Sequence, residues 1–256
     1  MELLIDTHSH IYLDQFESDV AEVIQRAKNE KIGSIVLPNI DSNTIEPLHN
    51  ITSEYPDYLF PLMGLHPAHV KENYLQELEK IQVQFEKYNY IGIGEIGIDL
   101  YWDKTFYKEQ KYVFEQQLLL AVRKNLPVVI HARESFTDIL QIVKKDKYKE
   151  LRGIFHAFTG DISLAKEIIG LGFKIGIGGI LTFKNSGLDE TVRAIDINHI
   201  VVETDSPYLA PVPFRGKRNE SSYLKYIVEK LAEVKKLSIA EVTEITTKNA
   251  NSIFEF

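Results

Sequence analysis

One pattern recurs along the whole 256-residue chain: a short apolar run, a polar loop, then an amphipathic segment with helical period. The apolar runs are LLIDTH, SIVLPNI, LFPLMGLH, YIGIGEIGI, PVVIHAR, GIFHAF, FKIGIGG and IVVETD. Between them, segments such as DVAEVIQRAKNEK, YLQELEKIQVQFEKY, KEQKYVFEQQLLLAVRKN and SLAKEIIGLG read as helices, and the tail from about Ser221 to Phe254 reads as helical too. Strands alternating with helices imply a parallel sheet, because parallel neighbours need a crossover connection. This number of units in 256 residues fits an α/β fold, a single (β/α)8 TIM-barrel-like domain spanning residues 1–256. The competing doubly wound sheet usually carries a Gly-rich phosphate loop after its first strand. Here that position holds His-Ser-His. The segments IGIGEIG and KIGIGGIL read as strands whose small residues relieve crowding near the barrel, not as dinucleotide loops.

Barrel enzymes place their chemistry at the C-terminal ends of the strands, so the residues there decide the reading. Strand one ends in IDTHSH, and side chains two apart in a strand share a face, so Asp6, His8 and His10 project together. Strand four carries Glu95, strand five ends at His131, strand six at His156 and strand eight at Asp205. Ionisable groups after apolar runs are costly unless paired or bound to metal. Four histidines and two carboxylates round one barrel mouth suit two divalent cations bridged by a carboxylate. His66, ending strand three in MGLHP, reads as a substrate contact and His69 is undecided, whereas His49 and His199 read as surface or structural residues.

The chain has no cysteine, which excludes disulfides and thiolate ligation. No apolar run approaches the roughly 20 residues of a membrane span, and no basic segment precedes the first strand as in a signal peptide. A cytoplasmic protein with no membrane association and no stable protein partner is expected. The net charge of −8 disfavours a broad nucleic-acid-coating surface and leaves only a local basic patch. One candidate is the loop SPYLAPVPFRGKRNES after strand eight, where Arg215, Lys217 and Arg218 stand close together. Loops after strands seven and eight recurrently bind phosphate in such barrels. Arg133, two residues beyond His131 on the same strand face, would add a second contact.

The motifs DTHSH, MGLHP, IGEIGID, PVVIHARES, FHAFTG and ETDSPYLAPVPFRGKRNE occur in the order seen in TatD-type metal-dependent deoxyribonucleases of the amidohydrolase superfamily, which the chain resembles from its first strand to the NANSIF tail. The resemblance implies that His8, His10 and Asp205 bind a first metal, that His131 and His156 bind a second, and that Glu95 bridges them. Carboxylate ligands and a phosphate substrate suit Mg2+, and His-rich ligation suits Mn2+ or Zn2+, so Mg2+ or Mn2+ are the expected active cations, with Zn2+ as an alternative occupant. The family often has cysteine where this chain has Ser9, Ala132 and Ala157, which alternation should turn away from the metals. Taken with the acidic surface, the expected activity is exonucleolytic cleavage of single-stranded or frayed DNA ends. Asp205 and Glu95 would be catalytic, and His66, Arg133, Arg215, Lys217 and Arg218 would hold substrate. The rival readings are a superfamily hydrolase of carboxylic esters or amides, such as an aminoacyl-tRNA ester, and a metal-binding protein without catalysis.

Overall fold

Every apolar run becomes a strand in the computed structural model, which describes residues 3–256; the first two positions of the expected 1–256 span lie outside the described residues. The strands are β1 (Leu4–Asp6), β2 (Ile32–Pro38), β3 (Leu59–Leu62), β4 (Ile93–Asp99), β5 (Val128–Arg133), β6 (Gly153–Phe155), β7 (Lys174–Ile177) and β8 (Ile200–Val202). Helices follow as α1 (Val20–Asn29), α2 (Ile45–Glu54), α3 (Tyr74–Gln84), α4 (Tyr107–Lys124), α5 (Phe136–Val143), α6 (Ile162–Gly170), α7 (Leu188–Ala194), α8 (Leu224–Lys235) and α9 (Ile239–Asn251). The tail is not one continuous helix. Lys236 takes a left-handed conformation after α8, and Ser238 with Glu241 forms a capping box that starts α9.

All strand pairs are parallel, in one ladder β1-β2-β3 and another β4-β5-β6-β7-β8. Two irregular seams join the ladders into a barrel. At the first, Ile91 N donates to Pro61 O (3.3 Å) and Gly94 N to Met63 O (3.3 Å). At the second, Thr7 N donates to Val202 O (3.2 Å), Asp205 N to His8 O (2.8 Å) and His10 N to Ser206 O (2.7 Å).

Two apolar layers stabilise this architecture by burial. The outer layer fills the space between strands and helices with residues such as Leu37, Phe114, Phe155 and Leu231. The inner layer comprises Ile5, Val36, Leu62, Val129, Ile154 and Val201, one from each of six strands, and is capped by Ala250, Ile253 and Phe254 from the end of the chain. Asn249 fixes this plug by donating to Ile197 O and Ile200 O near the start of β8. The bottom of the barrel is therefore closed, and polar side chains collect at the opposite, C-terminal mouth. No helix among the described residues is long and apolar enough to cross a membrane.

The strands stop sooner than the apolar runs suggest. His8, His10, His156 and Asp205 lie just past the ends of β1, β6 and β8 rather than within them. There the backbone leaves the ladder: Ala157 and Asp205 have φ of 45° and 56°, left-handed values that side chains other than glycine seldom adopt. Glycines make room at the same level. A Cβ on Gly97 (φ 150°) would fall 1.9 Å from His131 O, and one on Gly176 would fall 2.3 Å from Glu203 Oε2. The crowding read from the two glycine-rich strands is real.

Gly97→Ala should lower stability by at least about 2 kcal/mol, from the strained backbone together with the collision against β5. Gly170→Ala, where an added Cβ meets nothing within 4 Å, should be neutral or stabilising by up to about 1 kcal/mol. Urea unfolding of the two variants distinguishes these outcomes.

Candidate metal centre

Glu95 is held in the middle of the barrel mouth by its backbone. Its N–H donates to Asn39 O (3.1 Å), while Asn39 N is shared between Leu62 O and Gly94 O, both 3.1 Å away. The end of β2 thereby reaches β4 directly and pushes the Glu95 carboxylate, 3% exposed, to the centre. Its two oxygens face different groups. Oε2 lies 3.2 Å from His8 Nε2 and 3.5 Å from His10 Nε2, while Asp205 Oδ1 is 3.7 Å from both of those nitrogens. Oε1 lies 2.6 Å from His156 Nε2, 2.9 Å from His131 Nδ1 and 3.3 Å from His66 Nε2.

Hydrogen bonds behind the site fix which imidazole nitrogens carry protons. Tyr12 has one hydroxyl proton and donates it to Pro38 O (2.6 Å), so the 2.9 Å contact from His10 Nδ1 must be a donation to Tyr12 Oη. That leaves His10 Nε2 a bare lone pair, 3.1 Å from His8 Nε2. His131 donates from Nε2 to Asp99 Oδ2 (2.9 Å), which turns Nδ1 inward, 3.2 Å from His156 Nε2. His66 is wired the other way. Its Nδ1 accepts from Ala68 N (3.1 Å), so the nitrogen facing Glu95 is an N–H donor in the neutral ring. This wiring suits His66 to donate to a substrate oxygen rather than to ligate.

The convergence of ring nitrogens and carboxylate oxygens fits cations. The sets His8–His10–Glu95 and His66–Glu95–His131 each bring their ligand atoms within 4.8 Å of one another, as does His8–His156–Asp205. Nitrogen and oxygen donors without sulfur suit borderline or hard divalent ions. The electrostatics agree. Burial opposes ionisation of Glu95, but His156, His66 and His8 overcome it and keep the carboxyl well below its ordinary range. Burial and the adjacent Glu95 push Asp205 up to about 7, despite His10. Burial lowers His66 to about 4, whereas His131 rises to about 9 between Asp99 and Glu95 in spite of burial.

Several supporting residues carry no signal in the sequence alone. Asp99 ties to His131, Tyr12 to His10, and Asn39 to Glu95. Glu203 is fully buried beside His156, with one oxygen accepting from Ala157 N (2.5 Å) and the other without a partner among the described residues. Burial pushes it up to about 8. Asp6 shares a strand face with the histidines but turns to Thr204, accepting from its N (2.9 Å) and Oγ1 (2.6 Å), and so fastens the loop that bears Asp205.

A cavity of about 670 Å³ opens over the centre, lined by Glu95, His131, His156, Asp205, His66 and Arg133 among others. His69 also lines it, paired with Asp41 at 2.7 Å; Ala132 and Ala157 border it too, and Ala132 packs against the outer apolar layer. Ser9 does turn away, onto Ser206 Oγ at 2.7 Å. The loop after β8 departs from expectation, because Arg215, Lys217 and Arg218 are absent from this lining. Both terminal nitrogens of Arg218 bind Asp19 at 2.7 Å, and one also donates to Gln15 O, so its charge is spent on the start of α1. Lys217 lines a separate cavity with Arg26 and Glu220, and the Arg215 guanidinium lies 4.5 Å over the Phe183 ring. His49, bonded to Tyr90 Oη at 2.7 Å, is structural as read, and His199 ends a short turn ahead of β8.

A closed parallel barrel with imidazole and carboxylate donors at its C-terminal mouth defines the class: a metal-dependent hydrolase. The family follows from comparison. Residues 5–255 match the family model of TatD related DNase, and the chain belongs to that family. It is 39% identical over 253 residues to the uncharacterized metal-dependent hydrolase YabD of Bacillus subtilis, covering 98% of this chain and 99% of YabD. It is 29% identical to the uncharacterized metal-dependent hydrolase YcfH of Escherichia coli, covering 98% and 95%. Among solved structures, the TatD homolog YjjV of Escherichia coli superposes with a TM-score of 0.93 at 26% identity, covering 99% of this chain and 98% of that one.

If the buried partners set the ligand tautomers, Tyr12→Phe and Asp99→Asn should each weaken the affinity of one cation by about 10–100-fold. Competition against a fluorescent chelator, with Mn2+ added to metal-stripped protein, measures this directly. Unchanged affinity in both variants would show that the partners do not orient the rings.

Proposed function

We propose that this hydrolase cleaves phosphodiester bonds of DNA, acting as an exonuclease on single-stranded or frayed ends. The observation that carries the reading is the division of Glu95 between two nitrogen clusters, Oε2 toward His8 and His10 and Oε1 toward His131 and His156. His8, His10 and Asp205 would hold one divalent cation and His131 and His156 a second, with Glu95 common to both. When bound, such a pair supplies Lewis-acid stabilisation of phosphoryl charge and a more acidic water.

The chain's own groups supply the remainder. Asp205, with Oδ1 3.7 Å from His8 Nε2 and His10 Nε2, is placed to accept a proton from the attacking water and return it to the leaving oxygen as the P–O bond breaks. His66 presents an N–H toward the centre for a non-bridging phosphate oxygen. Arg133, lining the cavity on the His131 strand, offers a cationic contact for the backbone. The family's description as DNase-related supports a nucleic-acid substrate. The net charge of −8 supports a chain end entering a pocket over a long duplex footprint.

Metal-stripped protein given end-labelled single-stranded DNA should produce a ladder only after Mg2+, Mn2+ or Zn2+ is restored. Asp205→Ala should slow cleavage by about 100-fold or more. A protein that binds the cations yet leaves DNA intact would overturn the reading in favour of a carboxylic ester or amide substrate.

A further inference from the structure

The rim of the catalytic cavity carries two aromatic side chains that the chemistry above does not use. Trp102, the chain's one tryptophan, lines the cavity yet is 70% exposed, and its neighbour Tyr101 is 51% exposed. Their rings meet edge to face at 4.9 Å. Large aromatic surface in water costs hydrophobic free energy, and a core role would have buried it.

These rings are tied in position relative to the reacting centre. Asp99 spends one oxygen, Oδ2, on His131, and the other, Oδ1, accepts from Tyr101 N at 2.9 Å and Trp102 N at 3.3 Å. Gln110 of α4 clamps Asp99 from behind, accepting from its N and donating to its O. One buried carboxylate therefore connects a metal-site imidazole to the turn that carries the aromatics. Arg133 completes the group, its guanidinium 3.8 Å over the Tyr101 ring and 5.1 Å from that of Trp102.

A guanidinium lining the cavity, beside exposed rings, matches the two ends of a nucleotide: a charged phosphate and a flat base joined through one sugar. We infer that Trp102, supported by Tyr101 and Arg133, is a stacking platform for an unpaired nucleobase next to the scissile phosphate. The inference rests on the nuclease reading above and adds a physical source for selectivity toward single strands. A base inside a duplex has both faces covered by its neighbours and must be unstacked, at a cost of a few kcal/mol, before it can reach such a ring. A frayed or single-stranded end offers its face freely.

The position of Trp102 supplies its own reporter. The intact protein is titrated with a phosphorothioate oligothymidylate, which resists cleavage, and with an abasic sugar–phosphate strand of equal length. Anisotropy of an end label reads binding, and tryptophan emission reads contact at residue 102. The expected result is saturable quenching by the oligothymidylate, with the same dissociation constant as the anisotropy, and none by the abasic strand. Trp102→Ala should weaken oligothymidylate binding by about ten-fold or more, leave abasic binding unaltered, and be largely rescued by Trp102→Tyr. Binding without quenching, or an unchanged constant in Trp102→Ala, would overturn the platform while leaving the nuclease reading intact. No binding of either strand would overturn both.

Discussion

The structure depends on one buried carboxylate placed among imidazoles. Glu95 sits at 3% exposure, where an ionised carboxyl is expensive, and it is kept charged by His156, His66 and His8. Everything near it serves that arrangement. The end of β2 crosses to grip its backbone through Asn39, Gly97 lets β4 close onto β5 beside His131, and the β1–β8 seam brings His8, His10 and Asp205 within reach. A buried cluster of this composition is a poor way to stabilise a barrel, because an apolar core of equal volume does as well or better. Its retention at the mouth is explained by cation binding, the coarse function shared with the family.

Around this group lies a shell that orients three of the histidines, His10, His131 and His66. Tyr12 and Asp99 turn His10 Nε2 and His131 Nδ1 inward, while the Ala68 N–H makes His66 face inward with a proton. Histidines that look equivalent in sequence thus divide into ligand-like and donor-like roles through their outer hydrogen bonds alone. The same logic connects chemistry to recognition, because Asp99 orients His131 with one oxygen and the Tyr101–Trp102 turn with the other. Substituting Asp99 would disturb both.

The barrel was legible because each of its strands is an apolar run bounded by polar loops and followed by a helical stripe. The positions of the polar mouth residues followed from the rule that barrel chemistry lies at strand C-termini, and the structure brings His8, His10, Glu95, His131, His156 and Asp205 into one cluster. What escaped depends on register and distance. Asn39 and Glu203 matter only because of which strand each faces across the barrel, and nothing local marks them. Asp6 has the right alternation, yet the β8 loop captures it through Thr204. Arg218 misleads for a related reason. Its place in a basic loop suggests a phosphate contact, but Asp19, nearly two hundred positions earlier, takes both ends of its guanidinium. Trp102 gave no sign, since exposure of an aromatic residue is a property of the folded surface.

The central claim is that Glu95 is shared between two cations, and manganese reports it directly. Metal-stripped protein titrated with Mn2+ and followed by electron paramagnetic resonance should bind two ions per chain with a spin-coupled spectrum, as expected for ions about 3.5–4 Å apart. Glu95→Gln should abolish the coupling and weaken both sites. A single uncoupled ion, or two ions whose spectrum and affinity are indifferent to Glu95→Gln, would contradict the account.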